Sequence, residues 1–236
     1  FREVEAGAVN FGVVPIENST EGVVSNTLDN FIDSPLKVCG EVSLRIHHHL
    51  LTTSDSLNTI QRVYSHQQSL AQCRRWLTAN LPHVEQINVS SNAEAARRAA
   101  EDMTAAAIAG EQAGELYELP SLVSNIEDDP NNTTRFLVIG QIDTHATGED
   151  KTSIMVSSRN EAGALYKLLE PLARHKVSMS KIESRPSHRG LWEYVFFLDI
   201  DGHISDPAIA EVLEEISQQA VMLKSLGSYP KSVLDL

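Results

Sequence analysis

The pattern from which we predict the fold class lies in residues 62–77, Arg-Val-Tyr-Ser-His-Gln-Gln-Ser-Leu-Ala-Gln-Cys-Arg-Arg-Trp-Leu. A short β-rich run leads into the polar pair Ser65-His66, and apolar residues then recur at positions 70, 73, 76 and 77. The first run predicts a strand, and the three- and four-residue spacing predicts an amphipathic helix. The stretch is therefore typical of a strand that ends in a polar turn where a helix begins.

The same order recurs in the first half of the chain. It is present in residues 12–28 and 84–100, with polar turns at 17–22 and 90–92, and residues 105–109 precede a further short helix. This alternation predicts an α/β domain with a largely parallel sheet. Ligands of such domains bind at the carboxyl ends of the strands, where helix N-termini offer free N–H groups. The polar turns therefore predict one sheet edge that can hold a carboxylate.

The second half of the chain is predicted to form a second unit. Residues 134–140 are an apolar run, predicted to be a strand, after the acidic loop 127–133. The stretch 143–151 lacks apolar periodicity and is predicted to be a linker. Beyond it the order βαββαβ is expected, with strands at 152–158, 177–183, 191–200 and 221–228 and helices that begin at Asn160 and Asp206-Pro207. Pro171 is expected to kink the first of these helices or end it early.

Composition and charge restrict the class of protein. The 236 residues include 19 lysines and arginines against 32 aspartates and glutamates, which gives a net charge of −13. So acidic a chain offers no basic stripe for nucleic acid or an anionic membrane, and no apolar run is long enough to span a bilayer. The cysteines, Cys39 and Cys73, are too few for a disulfide framework, which favours a reducing, cytoplasmic location.

Two short polar segments carry residue types suited to an anionic substrate. Thr134-Arg135-Phe136 lies at the start of a predicted strand, where a guanidinium suits a carboxylate and a hydroxyl can donate to a reacting oxygen. Glu17-Asn18-Ser19-Thr20 precedes a predicted helix. A surface strand edge and an ordinary helix cap also explain these residues. Neither segment alone identifies a reaction.

The triplet His47-His48-His49 resembles a metal-binding sequence. In a strand, alternate side chains point to opposite faces, which leaves His47 and His49 together without a third ligand. Solvated or partly packed histidines are therefore the preferred interpretation, and neither a metal nor another cofactor is predicted.

Five motifs, taken in order, resemble those of the prephenate dehydratase family. They are Val-Pro-Ile-Glu-Asn-Ser-Thr-Glu-Gly at 14–22, Tyr64-Ser65-His66 with Gln72-Cys73, Asn132-Thr133-Thr134-Arg135-Phe136, Gly163-Ala164-Leu165 and Glu183-Ser184-Arg185-Pro186. The last two resemble the phenylalanine-binding motifs of the ACT regulatory domain that is attached to this enzyme. The whole pattern is similar to the dehydratase part of bifunctional chorismate mutase/prephenate dehydratases.

The family opens with a Gly-Pro-x-Gly-Thr segment that this sequence does not contain. Its first residues, Phe1-Arg2-Glu3-Val4-Glu5, read as the end of an amphipathic helix and not as a signal peptide. We therefore expect an N-terminally incomplete chain. The pattern leaves open whether a chorismate mutase domain precedes Phe1.

The resemblance implies a fold and an activity. It implies a two-lobed catalytic domain over residues 1–142, similar to periplasmic binding proteins, with the active site in the cleft between the lobes. The linker 143–151 and a βαββαβ ACT domain over 152–236 would follow. The implied reaction is the cofactor-independent, decarboxylative dehydration of prephenate to phenylpyruvate. Feedback inhibition by L-phenylalanine and a homodimer or homotetramer are also implied.

The resemblance also assigns roles to residues. Thr134 would donate a hydrogen bond to the leaving hydroxyl, since a threonine is a poor acid near neutral pH, and Arg135 would hold a carboxylate or orient the site. The other catalytic residues implied are Glu17, Asn18 and Phe136. The substrate contacts implied are Ser19, Thr20, Ser65, His66 and Gln72. The effector contacts implied are Gly163, Ala164, Leu165, Glu183, Ser184, Arg185, Pro186 and Trp192.

Three questions stay open at this point. Glu17, beside a dianionic substrate, must be protonated, paired with Arg135 or turned away from the cleft. An arogenate dehydratase, whose substrate carries an amino acid in place of the keto acid, would use the same residues. A non-catalytic, amino-acid-sensing regulator would keep the fold and the ACT domain without the chemistry.

Overall fold

The computed structural model of the protein describes residues 1–158, 161–186 and 194–232. The chain divides into two compact units. One, the discontinuous unit, consists of Phe1–Leu44 and Thr134–Leu236, and the other, the inserted unit, consists of Arg45–Thr133. Both units contain helices and strands, which confirms the predicted α/β class.

The described residues form thirteen strands and eight α-helices. The strands are β1 (Phe11–Asn18), β2 (Gly22–Val23), β3 (Lys37–Arg45), β4 (His49–Leu51), β5 (Arg62–Ser65), β6 (Glu85–Asn88), β7 (Ala105–Ala109), β8 (Ser121–Val123), β9 (Thr133–Gly140), β10 (Asp150–Ser157), β11 (Met179–Pro186), β12 (Tyr194–Asp201) and β13 (Met222–Pro230). The helices are α1 (Arg2–Glu5), α2 (Ser25–Asp33), α3 (Gln67–Gln72), α4 (Arg74–Asn80), α5 (Asn92–Ala100), α6 (Glu111–Leu116), α7 (Ala164–Arg174) and α8 (Pro207–Gln219). In the part of the chain that is described, no helix has the length and hydrophobicity required to cross a membrane.

The discontinuous unit begins with a sheet of the order β2-β1-β9-β3. β1 pairs antiparallel with both β2 and β9. Inward side chains of these strands, Ile16, Leu137 and Ile139, belong to one buried cluster with Leu28 and Phe31 of α2. The turn predicted at residues 17–22 therefore closes a hairpin between β1 and β2, and the helix begins only after it.

The inserted unit contains a sheet of the order β6-β5-β7-β4-β8. β5 pairs in parallel with β6 and β7, whereas β4 pairs antiparallel with β7 and β8. The strand-turn-helix order predicted from 62–77 and 84–100 is confirmed, but the single helix is two, α3 and α4, that meet at Cys73 with φ −113° and ψ 14°. The prediction of a largely parallel sheet is wrong, because β4 enters this sheet antiparallel to both of its neighbours.

The predicted single ligand-binding edge is also wrong. The turn at 17–22 follows β1 in the discontinuous unit, whereas the turns after Ser65 and at 90–92 follow β5 and β6 in the inserted unit. The latter two strands are parallel neighbours, with Ser65 opposite Asn88. Only these two turns therefore meet at the carboxyl edge of one sheet.

The predicted βαββαβ order of the C-terminal region is confirmed. Its strands form an antiparallel sheet of the order β11-β12-β10-β13, and α7 and α8 share a buried cluster with one face of it. The first strand begins at Asp150, two residues before its predicted start. The helix start predicted at Asn160 lies outside the described residues.

The expectation that Pro171 ends its helix early is wrong. α7 continues through Pro171 to Arg174, and the His175 N–H donates to the Pro171 carbonyl at 3.0 Å. Proline removes one hydrogen bond from a helix. Leu168 and Leu172 are buried on the same face of α7, and this packing holds the turn in place.

The other face of the C-terminal sheet packs within the discontinuous unit. Phe197 and Tyr229 of that sheet share a buried cluster with Phe31 and Leu137. β13 comes so close to β3 that a Cβ atom on Gly227, at φ +133°, would lie 2.2 Å from the Val38 carbonyl oxygen. Glycine is required there, both for this conformation and for the close approach.

Candidate active site

Asn18 and Thr134 lie opposite each other at the ends of β1 and β9. The Asn18 Nδ2 atom donates to Thr134 Oγ1 at 2.8 Å. Asn18 Oδ1 accepts from the backbone N–H groups of Thr20 and Glu21 at 2.9 and 3.0 Å, so the hairpin turn fixes the orientation of the carboxamide. A hydroxyl has one hydrogen and two acceptor positions. Because Thr134 accepts from Asn18, its own hydrogen is left to donate to another group.

Arg135 lies on the opposite face of β9 from Thr134, as alternation along a strand requires. It is only 9% exposed. Its Nε donates to Glu41 at 2.7 Å, its Nη1 lies 2.8 Å from an Asp199 oxygen, and its Nη2 donates to the Tyr229 hydroxyl at 3.1 Å. Protein carboxylates therefore occupy the guanidinium, and of the two roles implied for Arg135 this geometry supports orientation of the site.

The charges around Arg135 balance one another. Burial alone would lower the pKa of the Arg135 guanidinium, yet the carboxylates of Asp199 and Glu41 outweigh burial and raise it. Burial would likewise raise the pKa of Glu41, but Arg135 and Lys151, which donates to Glu41 at 3.0 Å, lower it. Both groups are therefore charged at neutral pH. We term Arg135, Glu41, Lys151, Asp199 and Tyr229 the charged cluster.

Glu17 takes a partner that the sequence analysis did not consider. Its carboxylate contacts the Lys181 ammonium of β11, and its other oxygen is 3.9 Å from Arg135 Nη1. Glu17 is opposite Arg135 in the β1–β9 pairing, next to the Asn18–Thr134 pair. Of the three expectations for Glu17, pairing with Arg135 is thus met only at 3.9 Å, and Lys181 is the nearer cationic partner.

Three further predicted residues of the discontinuous unit surround this pair. Ser19 and Thr20 are exposed in the hairpin turn, and Phe136 is half-buried on the same face of β9 as Thr134. Their positions agree with contact to a ligand at the Asn18–Thr134 pair, and their roles stay predictions.

Ser65 and His66 begin the turn after β5 in the inserted unit. The Ser65 hydroxyl is fully buried and lies 2.8 Å from the Ile108 carbonyl and 3.0 Å from Asn92 Oδ1. The His66 N–H donates to the same Asn92 oxygen at 3.1 Å, and Asn92 Nδ2 donates to Ser69 at 2.9 Å. This places Ser65 in the support of the turn. His66 itself is exposed.

Gln72, at the end of α3, lies in a separate group of polar side chains of the inserted unit. Its Oε1 atom is 2.9 Å from His48 Nε2 and accepts from Asn132 Nδ2 at 3.2 Å. Its backbone carbonyl accepts from the Asp128 N–H at 2.7 Å. We term Gln72, His48 and Asn132 the neutral cluster, because its side-chain hydrogen bonds involve no carboxylate, ammonium or guanidinium group.

The histidine triplet does not form the strand that was expected. His47 and His48 precede β4, and only His49 is part of it. His47 is 2.7 Å from a Glu127 oxygen, whereas His48 is buried. Within the described ranges, no group of three or more His, Cys, Asp or Glu side chains could hold a metal ion.

The predicted effector residues fall in two places of the C-terminal region. Gly163, at φ +79°, precedes α7, with Ala164 and Leu165 in its first turn. On β11, Ser184 and Pro186 are exposed, whereas Glu183 and Arg185 alternate with them and are half-buried. Trp192 lies outside the described residues.

Arg185 is bound to the first part of the discontinuous unit. Two of its nitrogens donate to the Asp29 carboxylate of α2 at 2.9 and 2.8 Å, and a third donates to Ser25 at 3.1 Å. The hydrogen bond to Asp29 raises the pKa of Arg185. β11 thus contacts α2 through Arg185 and β1 through Lys181.

The residues that support the site were not predicted from the sequence. They are Glu41, Lys151, Lys181, Asp199, Tyr229, His48 and Asn92. One signal was available, since alternation along the predicted strand 134–140 already separates Thr134 from Arg135. The other partners are distant in sequence and carry no motif.

Family models match nearly the whole chain. A model described as prephenate dehydratase matches residues 1–144, and one described as ACT domain matches residues 152–218. The bifunctional chorismate mutase/prephenate dehydratase of Pseudomonas aeruginosa is 57% identical over 235 residues, which are 99% of this chain and 64% of that protein. The chain therefore spans less than two thirds of this relative.

Two further proteins are similar over most of their length. The prephenate dehydratase of Mycobacterium marinum is 38% identical over 231 residues, which are 96% of this chain and 73% of that protein. The crystal structure of the prephenate dehydratase of Arthrobacter aurescens in complex with L-Phe matches with a TM-score of 0.88 and 34% identity. It covers 97% of this chain and 78% of the other.

Proposed function

The chain belongs to the prephenate dehydratase family, and we propose that it converts prephenate to phenylpyruvate, carbon dioxide and water. The observation that carries the proposal is the hydrogen bond from Asn18 to Thr134. It fixes the threonine oxygen and leaves its hydrogen to donate. A donor held in this way suits a reaction in which an oxygen gains negative charge as it leaves.

The reaction requires little from the enzyme beyond binding and polarisation. Prephenate carries two carboxylates and a ring hydroxyl. The bond between the ring and its carboxylate breaks to release carbon dioxide, the electron pair enters the ring, and the carbon–oxygen bond breaks to expel the hydroxyl. A proton from water accompanies the leaving oxygen, which departs as water, and the ring becomes aromatic. Thr134 stabilises that oxygen by hydrogen bonding.

Arg135 has an orienting role in this proposal. Its side chain is held by Glu41 and Asp199 on one face of β9, so the backbone of Thr134 on the same strand is held as well. Glu17, paired with Lys181, adds little negative charge beside an anionic substrate. Asn18, Ser19, Thr20 and Phe136 would then contact the substrate from the hairpin and the strand.

The proposal also assigns roles to residues of the inserted unit. We assign Gln72 a hydrogen bond to a substrate oxygen. Ser65 supports the turn after β5, and His66 forms part of the exposed surface of this turn. Neither a metal nor an organic cofactor takes part in the proposed steps, since breakdown of prephenate to an aromatic ring needs no external electron donor or acceptor.

We further propose that the ACT domain binds L-phenylalanine and inhibits the reaction. The Arthrobacter aurescens protein was solved in complex with L-Phe, and β11, which carries the effector motif, contacts Asp29 and Glu17 directly. A change in β11 on binding would reach the neighbours of Asn18. We also propose that the protein forms a homodimer or homotetramer and that it is located in the cytoplasm.

The test is phenylpyruvate formation from prephenate by the purified chain, with and without L-phenylalanine. Turnover that L-phenylalanine suppresses is the expected result. Parallel assays with arogenate distinguish the two dehydratase activities, because an arogenate dehydratase would turn over arogenate faster than prephenate. Saturable binding of L-phenylalanine without turnover of either substrate would overturn the enzymatic proposal in favour of an amino-acid-sensing regulator.

A further inference from the structure

We propose that Thr27 is a positioning residue of the dehydratase: its hydroxyl holds a β-bulge at Ile16 that brings Asn18, and not Glu17, opposite Thr134. The inference rests on the proposed function, in which Thr134 donates to the leaving oxygen. All five residues belong to the discontinuous unit. Thr27 is a buried residue of α2, at 6% exposure.

The bulge is defined by the pairing of β1 with β9. Pro15 lies opposite Phe136, whereas Glu17 lies opposite Arg135, the next residue of β9. Two steps along β1 therefore correspond to one step along β9, and Ile16 is the extra residue of a β-bulge. The Ile16 side chain is buried, at 2% exposure, in the cluster that includes residues of α2.

This extra residue decides which side chain meets Thr134. Without it, the register of the first part of β1 would bring Glu17 opposite Thr134, since a shift of one residue exchanges every cross-strand pair. A carboxylate can only accept, so it would take the threonine hydrogen, and its charge would repel an anionic substrate. With the bulge, Asn18 donates to Thr134 Oγ1 at 2.8 Å, and the threonine hydrogen is left for the leaving oxygen.

Helix α2 binds two successive backbone carbonyls at the bulge. The Thr27 hydroxyl donates to the Pro15 carbonyl at 2.7 Å, and the Val24 N–H donates to the Ile16 carbonyl at 2.9 Å. These bonds attach the irregular part of β1 to the first turn of the helix. The bond from Thr27 is the one that a side-chain substitution can remove.

The hydroxyl of Thr27 serves the strand and not its own helix. A threonine near a helix start commonly accepts a hydrogen bond from the first turn as the N-cap. The N-cap of α2 is Val24, whose side chain has no acceptor. Thr27 lies three residues further on and donates across to Pro15, twelve residues earlier in the chain.

This arrangement predicts which kinetic constant changes. Thr27→Val keeps the branched shape but releases the Pro15 carbonyl, so the bulge and the Asn18–Thr134 pair lose their fixed position. Thr134 acts on an oxygen that gains charge in the transition state. We expect kcat to fall by about 10- to 100-fold, the range for a small misplacement of a reacting group, with KM within about threefold. Thr27→Ser keeps the donor and is expected to recover most of the lost kcat.

The control removes a similar hydroxyl elsewhere. Thr52, in the inserted unit, is fully buried and donates to the Ala105 carbonyl at 2.8 Å. Thr52→Val is expected to lose a similar amount of stability in urea denaturation, with kcat within about twofold. Thr27→Ala lacks the same donor and replaces the valine variant if that protein does not fold. An equal loss of kcat in the Thr52 and Thr27 variants would show a general effect of stability and overturn the inference.

A double variant tests whether Thr27 acts through Thr134. In a Thr134→Ala background, Thr27→Val is expected to lower kcat by less than about twofold, because the hydroxyl that it positions is already absent. A residue that only stabilised the fold would lower kcat by the same factor in both backgrounds. An unchanged kcat in Thr27→Val, or the full further loss in the double variant, would overturn the inference.

A second measurement does not depend on turnover. NMR of the Asn18 side-chain amide reports on its hydrogen bond to Thr134 in the chain without substrate. We expect its signals to shift in Thr27→Val and to stay near their wild-type positions in Thr27→Ser and Thr52→Val. Unshifted signals in Thr27→Val would overturn the inference even if the chain proved inactive. The expected shifts without prephenate turnover by the wild type would instead show that the proposed function has failed.

Discussion

The charged cluster around Arg135 and the neutral cluster around Gln72 both hold a polar side chain from behind, but with different forces. Arg135 is bound by the carboxyl groups of Glu41 and Asp199, whose side chains are largely buried. Gln72 is bound by the imidazole of His48 and the carboxamide of Asn132. The first cluster joins the C-terminal region to β9, whereas the second lies wholly within the inserted unit.

This difference separates stability from orientation. A buried charge that loses its partner is costly, because water cannot replace the partner. A neutral hydrogen bond that is lost costs far less, but the group it oriented becomes free to rotate. We therefore expect changes in the charged cluster to alter folding, and changes in the neutral cluster to alter substrate binding. The following predictions test this distinction, from the largest expected effect to the smallest.

Thr134→Ala is expected to reduce kcat by about 100- to 1,000-fold, the loss typical when one donor to a developing negative charge is removed. Its stability is expected to stay near that of the wild type, since Thr134 lies on the face of β9 opposite the charged cluster. Steady-state kinetics and urea denaturation measure the two effects. Thr134→Ser keeps the hydroxyl and serves as the control. A kcat within tenfold of the wild type would remove Thr134 from the mechanism.

Arg135→Gln is expected to lower the free energy of unfolding by about 3–5 kcal/mol, because Asp199 would lose its buried cation and Glu41 would keep only Lys151. Gln72→Leu, in the neutral cluster, is expected to lower it by only about 1 kcal/mol. Urea denaturation of both variants at one pH provides the comparison. Equal losses in the two variants would contradict the distinction between the clusters.

Lys181→Met tests whether β11 transmits the effect of L-phenylalanine. It removes the contact to Glu17 but leaves that of Arg185 to Asp29. We expect the inhibitor concentration for half-inhibition to rise by about fivefold, at the low end of typical coupling between sites. Ser180→Ala, on the exposed face of the same strand, is the control. Unchanged inhibition in Lys181→Met would show that β11 acts through other contacts.

Glu127→Gln tests a carboxylate beside the neutral cluster. Burial opposes ionisation of Glu127, but the His48 backbone N–H and the His47 side chain outweigh it and lower its pKa. A carboxyl group whose pKa is lowered on folding stabilises the fold at pH values above its unfolded-state pKa. This stabilisation is lost as the pH falls through its folded-state pKa. We expect the variant to lose less stability than the wild type between pH 5 and pH 3. Parallel acid denaturation curves would contradict this.

Local pattern accounts for what could be predicted of the fold. The strand-turn-helix order of residues 62–77 was predictable because hydrophobic spacing depends on neighbours in the chain. The antiparallel direction of β4 was not, since it depends on where the chain returns to the sheet. Pro171 shows the same limit. Its local preference was read correctly, but the buried face of α7 outweighed it.

The candidate site could likewise be predicted only in part. Motif resemblance named Asn18 and Thr134 together, and the structure places them in a hydrogen bond. It named Arg135 as well, but not the carboxylates that occupy it. Asp199 is 64 residues away in the chain, since 199 − 135 = 64, and belongs to no motif. A partner at such a distance cannot be found by reading local sequence.

The fold class and the family could be read from the sequence, and so could a set of candidate site residues, because these follow from hydrophobic spacing and short motifs. The partners that hold these candidate residues in place depend on the tertiary structure. The two faces of β9 belong to different environments, Thr134 beside Asn18 and Arg135 among buried carboxylates. Charge pairing and burial depend on distances in space, and these distances are set only when the sheets pack together.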